Sequence, residues 1–229
     1  MTKQVWTKDV LIDRNLISRA MDIVVALVLL AVLSPVLLVV AIIIAVDDPG
    51  PPWFSQLRVG KDLRRFRLLK FRTMRVRDAD TIDQGREAVL AGASDARITR
   101  FGRLLRRASI DELPQLFNIA LGTMTFVGPR PIIPEQLDAI PPQLMARFEV
   151  KPGLTGLAQV EGRRSLDWME QLRLDALYVA RRSFWIDLII LLRTIGVVVT
   201  GRGVYDPNAR NWRAYRGAAR GDAVKDQRP

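Results

Sequence analysis

The stretch that decides the fold is residues 17–46, ISRAMDIVVALVLLAVLSPVLLVVAIIIAV. After Asp22 it carries no charged side chain until Asp47, and Ser34 and Pro35 interrupt it near the middle. About 24 apolar residues at about 1.5 Å each extend roughly 36 Å as a helix, enough to cross a bilayer core of about 30 Å. The stretch therefore predicts a membrane helix. It is too long for a secretory signal peptide, and no small-residue cleavage site follows it.

Basic residues flank this helix on both sides, and Lys and Arg beside a membrane segment favour the cytoplasmic face. A re-entrant segment that turns at Ser34-Pro35 would satisfy both ends, because proline removes a backbone donor and the Ser34 hydroxyl can meet the freed carbonyl. A spanning helix with an ordinary proline kink is the alternative. The flanking residues are Lys3, Lys8, Arg14 and Arg19 before the helix, and Arg58, Lys61, Arg64, Arg65, Arg67, Lys70, Arg72, Arg75 and Arg77 after it.

The composition restricts both the partners and the chemistry. The chain has 229 residues with 35 Lys and Arg against 24 Asp and Glu, so its net charge is +11. This excess favours an anionic partner, and the membrane segment favours membrane lipid or a phosphorylated substrate over nucleic acid. Cysteine and histidine are both absent, which removes a thiolate nucleophile and the commonest general base. Catalysis would have to use carboxylates, hydroxyls, Lys, Arg, Tyr or a hard metal ion.

The pattern as a whole predicts a mostly α fold with a small β element (α+β). Residues 1–48 are assigned to the N-terminal segment and membrane helix, 49–204 to a catalytic domain, and 205–229 to a basic tail that we expect to be loosely ordered. Short β-like pieces within residues 53–76 predict a hairpin that turns at Val59-Gly60-Lys61.

Three later stretches have helical periodicity. Arginines recur at helical spacing within residues 95–107, opposite apolar positions, so this helix should carry a cationic face suited to anionic headgroups or a diphosphate. Residues 184–199 are strongly apolar but short for a span, which favours a buried or interface-lying helix. Residues 165–180 form the third stretch, with an apolar side made of Trp168, Leu172, Ala176 and Val179.

Residues 109–114, SIDELP, support two interpretations. In the first, Ser109 and Glu112 form a capping box at a helix N-terminus, and Asp111 lies in the first turn, where the helix dipole favours an anion. In the second, Asp111 and Glu112 bind Mg²⁺ and supply a nucleophile. Pro114 lies deep for a first turn, which indicates irregular backbone. The pattern alone leaves both interpretations open.

Two basic features are candidates for phosphate binding. Residues 70–75, KFRTMR, concentrate cations at one point, although a solvated basic face is the ordinary explanation. Arg130 stands between Pro129 and Pro131, which restrict its backbone. A stiffened arginine suits a phosphate clamp, and a purely structural turn is the alternative. Another tight turn is expected in residues 151–156, KPGLTG, where Pro-Gly suits a type II turn.

Three of these segments together resemble the bacterial sugar transferase family, the small monotopic phosphoglycosyl transferases. They are KFRTM at 70–74, RRASIDELPQLFNIALGTMTFVGPRP at 106–131 and KPGLTGLAQVEGR at 151–163. They occur in the family's order with compatible spacing, and the resemblance extends over about residues 17–204. The family often has Gly-Arg-Asn where this chain has Gly162-Arg163-Arg164. Some members carry a large N-terminal extension, which we do not expect here.

The resemblance implies a reaction and a location. Members transfer a phosphosugar from a UDP-sugar to undecaprenyl (polyprenyl) phosphate, release UMP, use Mg²⁺ and begin the assembly of surface polysaccharides or glycoconjugates. The implied location is the cytoplasmic face of the bacterial inner membrane, on a re-entrant helix that turns at a Ser-Pro pair. That pair corresponds to Ser34 and Pro35.

The same resemblance assigns roles to residues. Asp111 corresponds to the nucleophile that forms an aspartyl–phosphosugar intermediate, and Glu112 to the residue that supports it and the metal. The cations that match the phosphate- or nucleotide-binding positions are Lys70, Arg72, Arg106 and Arg130.

The absence of histidine agrees with this chemistry, because an aspartate and a lipid phosphate are both ionised near neutrality and need no base. The alternative is a non-catalytic, basic, membrane-anchored scaffold that binds anionic lipid. The sequence leaves open the sugar, the pathway, the oligomeric state and the role of the tail. Downstream glycosyltransferases are candidate partners.

Overall fold

A computed structural model of the chain describes residues 6–75, 97–162, 165–200 and 212–215. These residues are mostly helical, with two small two-stranded sheets, which confirms the predicted α+β composition. The helices are α1 (Trp6–Asp47), α2 (Arg100–Arg107), α3 (Gln115–Leu121), α4 (Leu157–Glu161), α5 (Trp168–Arg181) and α6 (Phe184–Thr200), and the strands are β1 (Trp53–Val59), β2 (Arg65–Phe71), β3 (Thr125–Val127) and β4 (Gly153–Thr155).

Helix α1 continues through Ser34 and Pro35 as one helical segment. Proline lacks the N–H that would bond the carbonyl four residues earlier, which is that of Ala31. The Ser34 hydroxyl donates to this same carbonyl at 2.8 Å, as the sequence predicted. The bond from the Ser34 hydroxyl replaces the missing backbone bond at Ala31, which explains why the helix is not interrupted at Pro35. The predicted helix-break-helix is therefore not seen, and the re-entrant path is not confirmed.

One side of α1 packs against the rest of the protein on both sides of Pro35. Asp22 accepts a hydrogen bond from the Thr125 hydroxyl at 2.7 Å, and Ala26 is buried beside α3. Beyond the proline, Ile44 is buried in a cluster with Phe71 of β2. The two halves of the helix thus share one continuous contact side.

The other sides of α1 are apolar and exposed. Within Leu16–Asp47, the most apolar 18-residue window has a mean hydropathy of 3.2 and is only 22% buried, so this helix is long and apolar enough to cross a membrane. A core helix of a soluble protein would bury most of such a surface. The exposed apolar surface is consistent with a membrane location.

Strands β1 and β2 form the predicted antiparallel hairpin, with Trp53 opposite Phe71. The two rings stack with centroids 4.9 Å apart, and Trp53 is 47% exposed. The buried side chain of Asn118 in α3 forms hydrogen bonds with backbone groups on the edge of β2 that does not pair with β1. Its Oδ1 accepts from the Leu69 amide at 2.9 Å, and its Nδ2 donates to the Arg67 carbonyl at 2.8 Å. This amide holds α3 against the strand that ends beside Lys70.

Strands β3 and β4 form a short parallel pair. A Cβ added at Gly153 would lie 2.1 Å from the Gly128 backbone nitrogen, so only a glycine permits this approach. Among the described glycines, positive φ occurs at Gly50 and Gly122. The predicted type II turn is therefore wrong, because that turn needs a positive φ at Gly153. The glycine provides close packing instead.

Helices α5 and α6 confirm the predicted helical stretches, with a corrected packing side on α5. The most buried residues of α5 are Trp168, Leu172, Asp175 and Tyr178. The predicted side used Ala176 and Val179, which are only half-buried. Trp168 and Leu172 are buried as predicted, but the buried side continues through Asp175 and Tyr178, each one residue earlier than predicted.

The described part of the C-terminal tail packs against the core. Trp212–Tyr215 form a short 3-10 helix, and Trp212 is 3% exposed within the largest core cluster. The expectation of a loosely ordered tail is wrong for these four residues, because an indole of this size stabilises the core when buried. The rest of the tail, residues 205–211 and 216–229, lies outside the described residues, as do Arg163 and Arg164.

Candidate active site

The acidic pair lies in a 3-10 turn, Ile110–Glu112, between α2 and α3. Ser109 precedes it with φ 56° and ψ 18°, and its side chain does not cap the turn. The capping-box interpretation is therefore wrong. A left-handed conformation at a residue other than glycine is uncommon and costs roughly 1 kcal/mol or more. The strained residue orients the pair that follows it.

Glu112 is the anion that two basic residues share. Its Oε1 accepts from Lys70 Nζ at 2.8 Å and from Arg130 Nη2 at 2.7 Å. Lys70 lies at the end of β2 and Arg130 in the loop after β3, so three distant segments meet at one carboxylate. Lys70 and Glu112 are 17% and 18% exposed, and Arg130 is 43% exposed. Arg130 therefore has the most exposed side chain of the three.

The two cations determine the ionisation of Glu112. Burial is the largest single influence and raises the pKa of this carboxyl, but Arg130 and Lys70 together outweigh it and hold the pKa well below its usual range. Burial lowers the pKa of Lys70, although Glu112 opposes this shift. Glu112 is consequently a permanent anion at neutral pH.

Asp111 differs from its neighbour. It is 8% exposed, and burial raises the pKa of its carboxyl while Lys70 opposes the rise. Among the described residues, no side chain forms a hydrogen bond or ion pair with the Asp111 carboxylate. A buried carboxylate with a raised pKa and uncommitted oxygens is a stronger base and nucleophile than a solvated one.

Arg106 reaches the same region from α2. Its Nε donates to Thr73 Oγ1 at 2.8 Å, and its positive charge lowers the pKa of Asp111. Its Nη1 is buried and has no hydrogen-bond partner among the described residues. Gly102 permits this approach, since a Cβ there would lie 2.2 Å from the Thr73 carbonyl oxygen. Arg106 thus offers one uncommitted donor near Asp111.

Arg72 does not join this group. It is 8% exposed and directs its guanidinium to the end of α1, where it forms an ion pair with Asp48 at 3.4 Å. Further donors point to the backbone carbonyls of Ile44, Asp48 and Pro49. The Asp48 carbonyl is one that the C-terminus of a helix leaves without an intrahelical partner, whereas the Ile44 carbonyl also accepts from the Asp48 amide at 3.1 Å. These contacts give Arg72 a structural role and do not support the predicted role in phosphate binding.

Comparison with known proteins places this site in a family. Residues 13–201 match the sequence model of the family described as Bacterial sugar transferase. The chain belongs to this family. The match includes Ser34 and Pro35, the acidic pair and all four predicted cations.

Relatives of this chain carry specific names. A Caulobacter vibrioides protein named UDP-glucose:undecaprenyl-phosphate glucose-1-phosphate transferase is 42% identical over 199 residues, covering 83% of this chain and 73% of the relative. An Erwinia amylovora UDP-galactose-lipid carrier transferase is 38% identical over 82% of this chain and 42% of its own length. An Aeromonas hydrophila UDP-N-acetylgalactosamine-undecaprenyl-phosphate N-acetylgalactosaminephosphotransferase is 38% identical over 82% and 44%. The chain spans less than half the length of these last two relatives.

The acidic pair supplies two carboxylates that could contribute to a magnesium site. The described residues contain no group of three or more acidic side chains that could hold a metal unaided. Mg²⁺ commonly uses one or two carboxylates together with substrate phosphates. Asp111 offers uncommitted oxygens for this purpose, whereas Oε1 of Glu112 is engaged by two cations.

Two buried residues behind Arg130 were not predicted from the sequence. Arg147 Nη2 donates to the Arg130 carbonyl at 2.6 Å and pairs with Asp175 Oδ2 at 2.8 Å. Arg147 and Asp175 are 4% and 3% exposed. The available signal was the position of Asp175, three residues after Leu172 on the apolar side of a helix.

Proposed function

We propose that the protein transfers a phosphosugar from a UDP-sugar to undecaprenyl (polyprenyl) phosphate and releases UMP. The observation that carries this proposal is the buried Asp111 carboxylate beside Glu112, with Lys70 and Arg130 held at the same point. The names of the relatives support it, because they describe sugar-phosphate or lipid-carrier transferases that act on UDP-sugars. The relatives differ in sugar, so the donor is left to experiment.

In the proposed first step, an Asp111 oxygen attacks the phosphorus that carries the sugar. The bond from this phosphorus to the bridging oxygen of the diphosphate breaks, UMP leaves, and the phosphosugar is bound to Asp111. The reaction needs no general base because the attacking carboxylate is ionised. Lys70, Arg106 and Arg130 offset the charge of the diphosphate and of the leaving phosphate.

In the second step, a phosphate oxygen of the lipid attacks the same phosphorus. The bond to Asp111 breaks, which restores the carboxylate and yields a polyprenyl diphosphosugar. Both nucleophiles are anionic before they react, which agrees with a chain that lacks histidine. Mg²⁺ held by Asp111, Glu112 and substrate phosphate oxygens would supply additional charge neutralisation.

We further propose that the protein is monotopic at the cytoplasmic face of the inner membrane, where its product would initiate polysaccharide or glycoconjugate assembly. Both halves of α1 pack against the catalytic domain, whereas a simple spanning helix would contact it at one end. The apolar side chains of α6 are also exposed, including Phe184 and Trp185. The chain contains no cysteine, so single cysteines at Lys3 and Lys61 can be labelled in intact vesicles. Labelling from opposite faces would contradict the re-entrant path.

The reaction is tested by UMP release in nanodiscs with Mg²⁺, undecaprenyl phosphate and a panel of UDP-sugars. We expect release with at least one donor, and loss of at least about 1000-fold in Asp111→Ala and Asp111→Asn, since both remove the nucleophile. Equal rates in wild type and Asp111→Ala would refute the mechanism. Lipid binding without turnover across a broad panel would favour the scaffold.

A further inference from the structure

We propose that Arg147 and Asp175 form a positioning pair that holds Arg130 in place against Glu112. Three consecutive contacts connect Asp175 with Glu112. Asp175 Oδ2 lies 2.8 Å from Arg147 Nη2, which donates to the Arg130 carbonyl at 2.6 Å. The Arg130 side chain then donates from Nη2 to Glu112 Oε1 at 2.7 Å. A helix with no other residue at the site, α5, is thereby connected to the acidic pair.

The backbone around Arg130 explains why it needs support from outside. Pro129 and Pro131 have no N–H groups, so the loop has few donors with which to fix itself. A buried carbonyl without a donor is costly, and Arg147 donates to that of Arg130. Arg58 adds a weaker support, since its Nη1 donates to the Pro131 carbonyl at 3.2 Å.

Arg147 acts through Arg130 because substrate has no room to reach it. The cavity beside Arg147 has a volume of about 10 Å³ and is also lined by Gly60, Pro129 and Arg130. Such a space holds at most about one water molecule. Two other donors of Arg147, Nε and Nη1, are buried without a partner among the described residues. A buried guanidinium with unpaired donors is costly, so the contacts that Nη2 makes with Asp175 and with the Arg130 carbonyl are those that compensate it.

Asp175 is needed because Arg147 is buried. An isolated guanidinium would be strongly disfavoured there, and the carboxylate compensates its charge. Burial raises the pKa of Asp175 to about 6, even with Arg147 beside it. Removing Asp175 alone would leave an uncompensated cation and destabilise the fold.

The test replaces both members together, Arg147→Met with Asp175→Leu, because replacing a buried ion pair by apolar residues of similar size is often neutral for stability. Since this inference rests on the proposed function, UMP release by wild type and Asp111→Ala is measured first. We expect kcat/KM to fall about 10- to 100-fold in the paired variant, the loss typical of a group displaced by about 1 Å. Tyr215→Phe, which breaks contacts to Asp167 at the start of α5, is the matched control and should leave kcat/KM within about twofold.

A double-mutant cycle separates positioning from general damage. In an Arg130→Met background, the paired replacement should change kcat/KM by less than about twofold, because its effect passes through Arg130. Full additivity would overturn the inference, as would wild-type activity in the paired variant.

Hydrogen exchange gives a readout that does not depend on turnover. Exchange across residues 128–133 should accelerate at least about tenfold in the paired variant and not in Tyr215→Phe, if Arg147 holds this loop. Unchanged exchange would overturn the inference even if the protein is an active transferase. Faster exchange in a protein without UMP release would support the positioning role and refute the proposed function alone.

Discussion

Replacing Glu112 by Gln should destabilise the protein markedly, because two cations share this one anion. A hydrogen bond to a charged group contributes roughly 1.5–3 kcal/mol, so two such bonds would give about 3–6 kcal/mol. Arg130 is 43% exposed, so solvent screens its bond, and Gln keeps one acceptor. We therefore expect a loss of about 2–3 kcal/mol, which for a chain of this size lowers the melting temperature by about 4–12 °C.

The assay is thermal unfolding followed by tryptophan fluorescence in nanodiscs, with Glu161→Gln as the matched control. Glu161 also pairs with an arginine, Arg193, at 2.6 Å, but the two side chains are 39% and 44% exposed. An exposed pair contributes roughly 0–1 kcal/mol, so the control should shift the midpoint by no more than about 2–4 °C. A shift in Glu112→Gln no larger than in the control would refute the shared-anion reasoning.

The pH dependence of this difference also has a definite sign. The pKa of Glu112 is depressed in the folded state, so its contribution is present above the unfolded pKa of about 4.3 and is lost as the pH falls through the lower folded value. The gap between wild type and Glu112→Gln should therefore persist from about pH 7 to about pH 5. Closure of the gap within that range would contradict the depressed pKa.

Three further predictions concern other parts of the chain. Gly153→Ala should destabilise the protein by several kcal/mol or prevent folding, since its Cβ would lie 2.1 Å from a backbone nitrogen. In Gly196→Ala the added Cβ meets nothing within 4 Å, so thermal unfolding should show a stability that is unchanged or up to about 1 kcal/mol higher. Burial raises the pKa of Asp111 above its usual value of about 4. The loss of kcat/KM on acidification should therefore have its midpoint above about pH 4, and a midpoint at or below that pH would contradict the raised pKa. Arg72→Met should lower stability by about 1–3 kcal/mol but leave KM for the UDP-sugar within about twofold, and a rise of tenfold or more would return Arg72 to the binding site.

The sequence identified the acidic pair but not how it is held. Asp111 and Glu112 belong to a continuous motif, which is readable without a structure. Their local pattern also matched a capping box, which is ruled out by the left-handed conformation of Ser109 and the lack of a side-chain cap at the turn. Glu112 is held by Lys70 instead. Lys70 and Glu112 are 42 residues apart in the sequence, so their contact depends on how the chain packs and has no local sequence pattern.

Arg72 and Asp175 show two ways in which the sequence fails to predict long-range contacts. Arg72 was predicted to lie at the site and does not, whereas Asp175 was not predicted to matter. Arg72 stands two positions after Lys70, as two side chains on one face of a strand would, but β2 ends at Phe71 and the chain turns toward α1. Nothing was predicted for Asp175 from the sequence, yet it lies at a core position where Arg147 compensates its charge. Sequence periodicity identifies apolar sides well, whereas paired buried charges become visible only when both elements are in place.

The most direct test of the proposed mechanism is intact-protein mass spectrometry after incubation with an active UDP-sugar in the absence of lipid acceptor. The mechanism predicts a covalent phosphosugar adduct on Asp111 that is absent in Asp111→Ala and disappears when undecaprenyl phosphate is added. Steady turnover with no adduct at any time, together with activity in Asp111→Ala, would contradict it and require direct attack by the lipid phosphate.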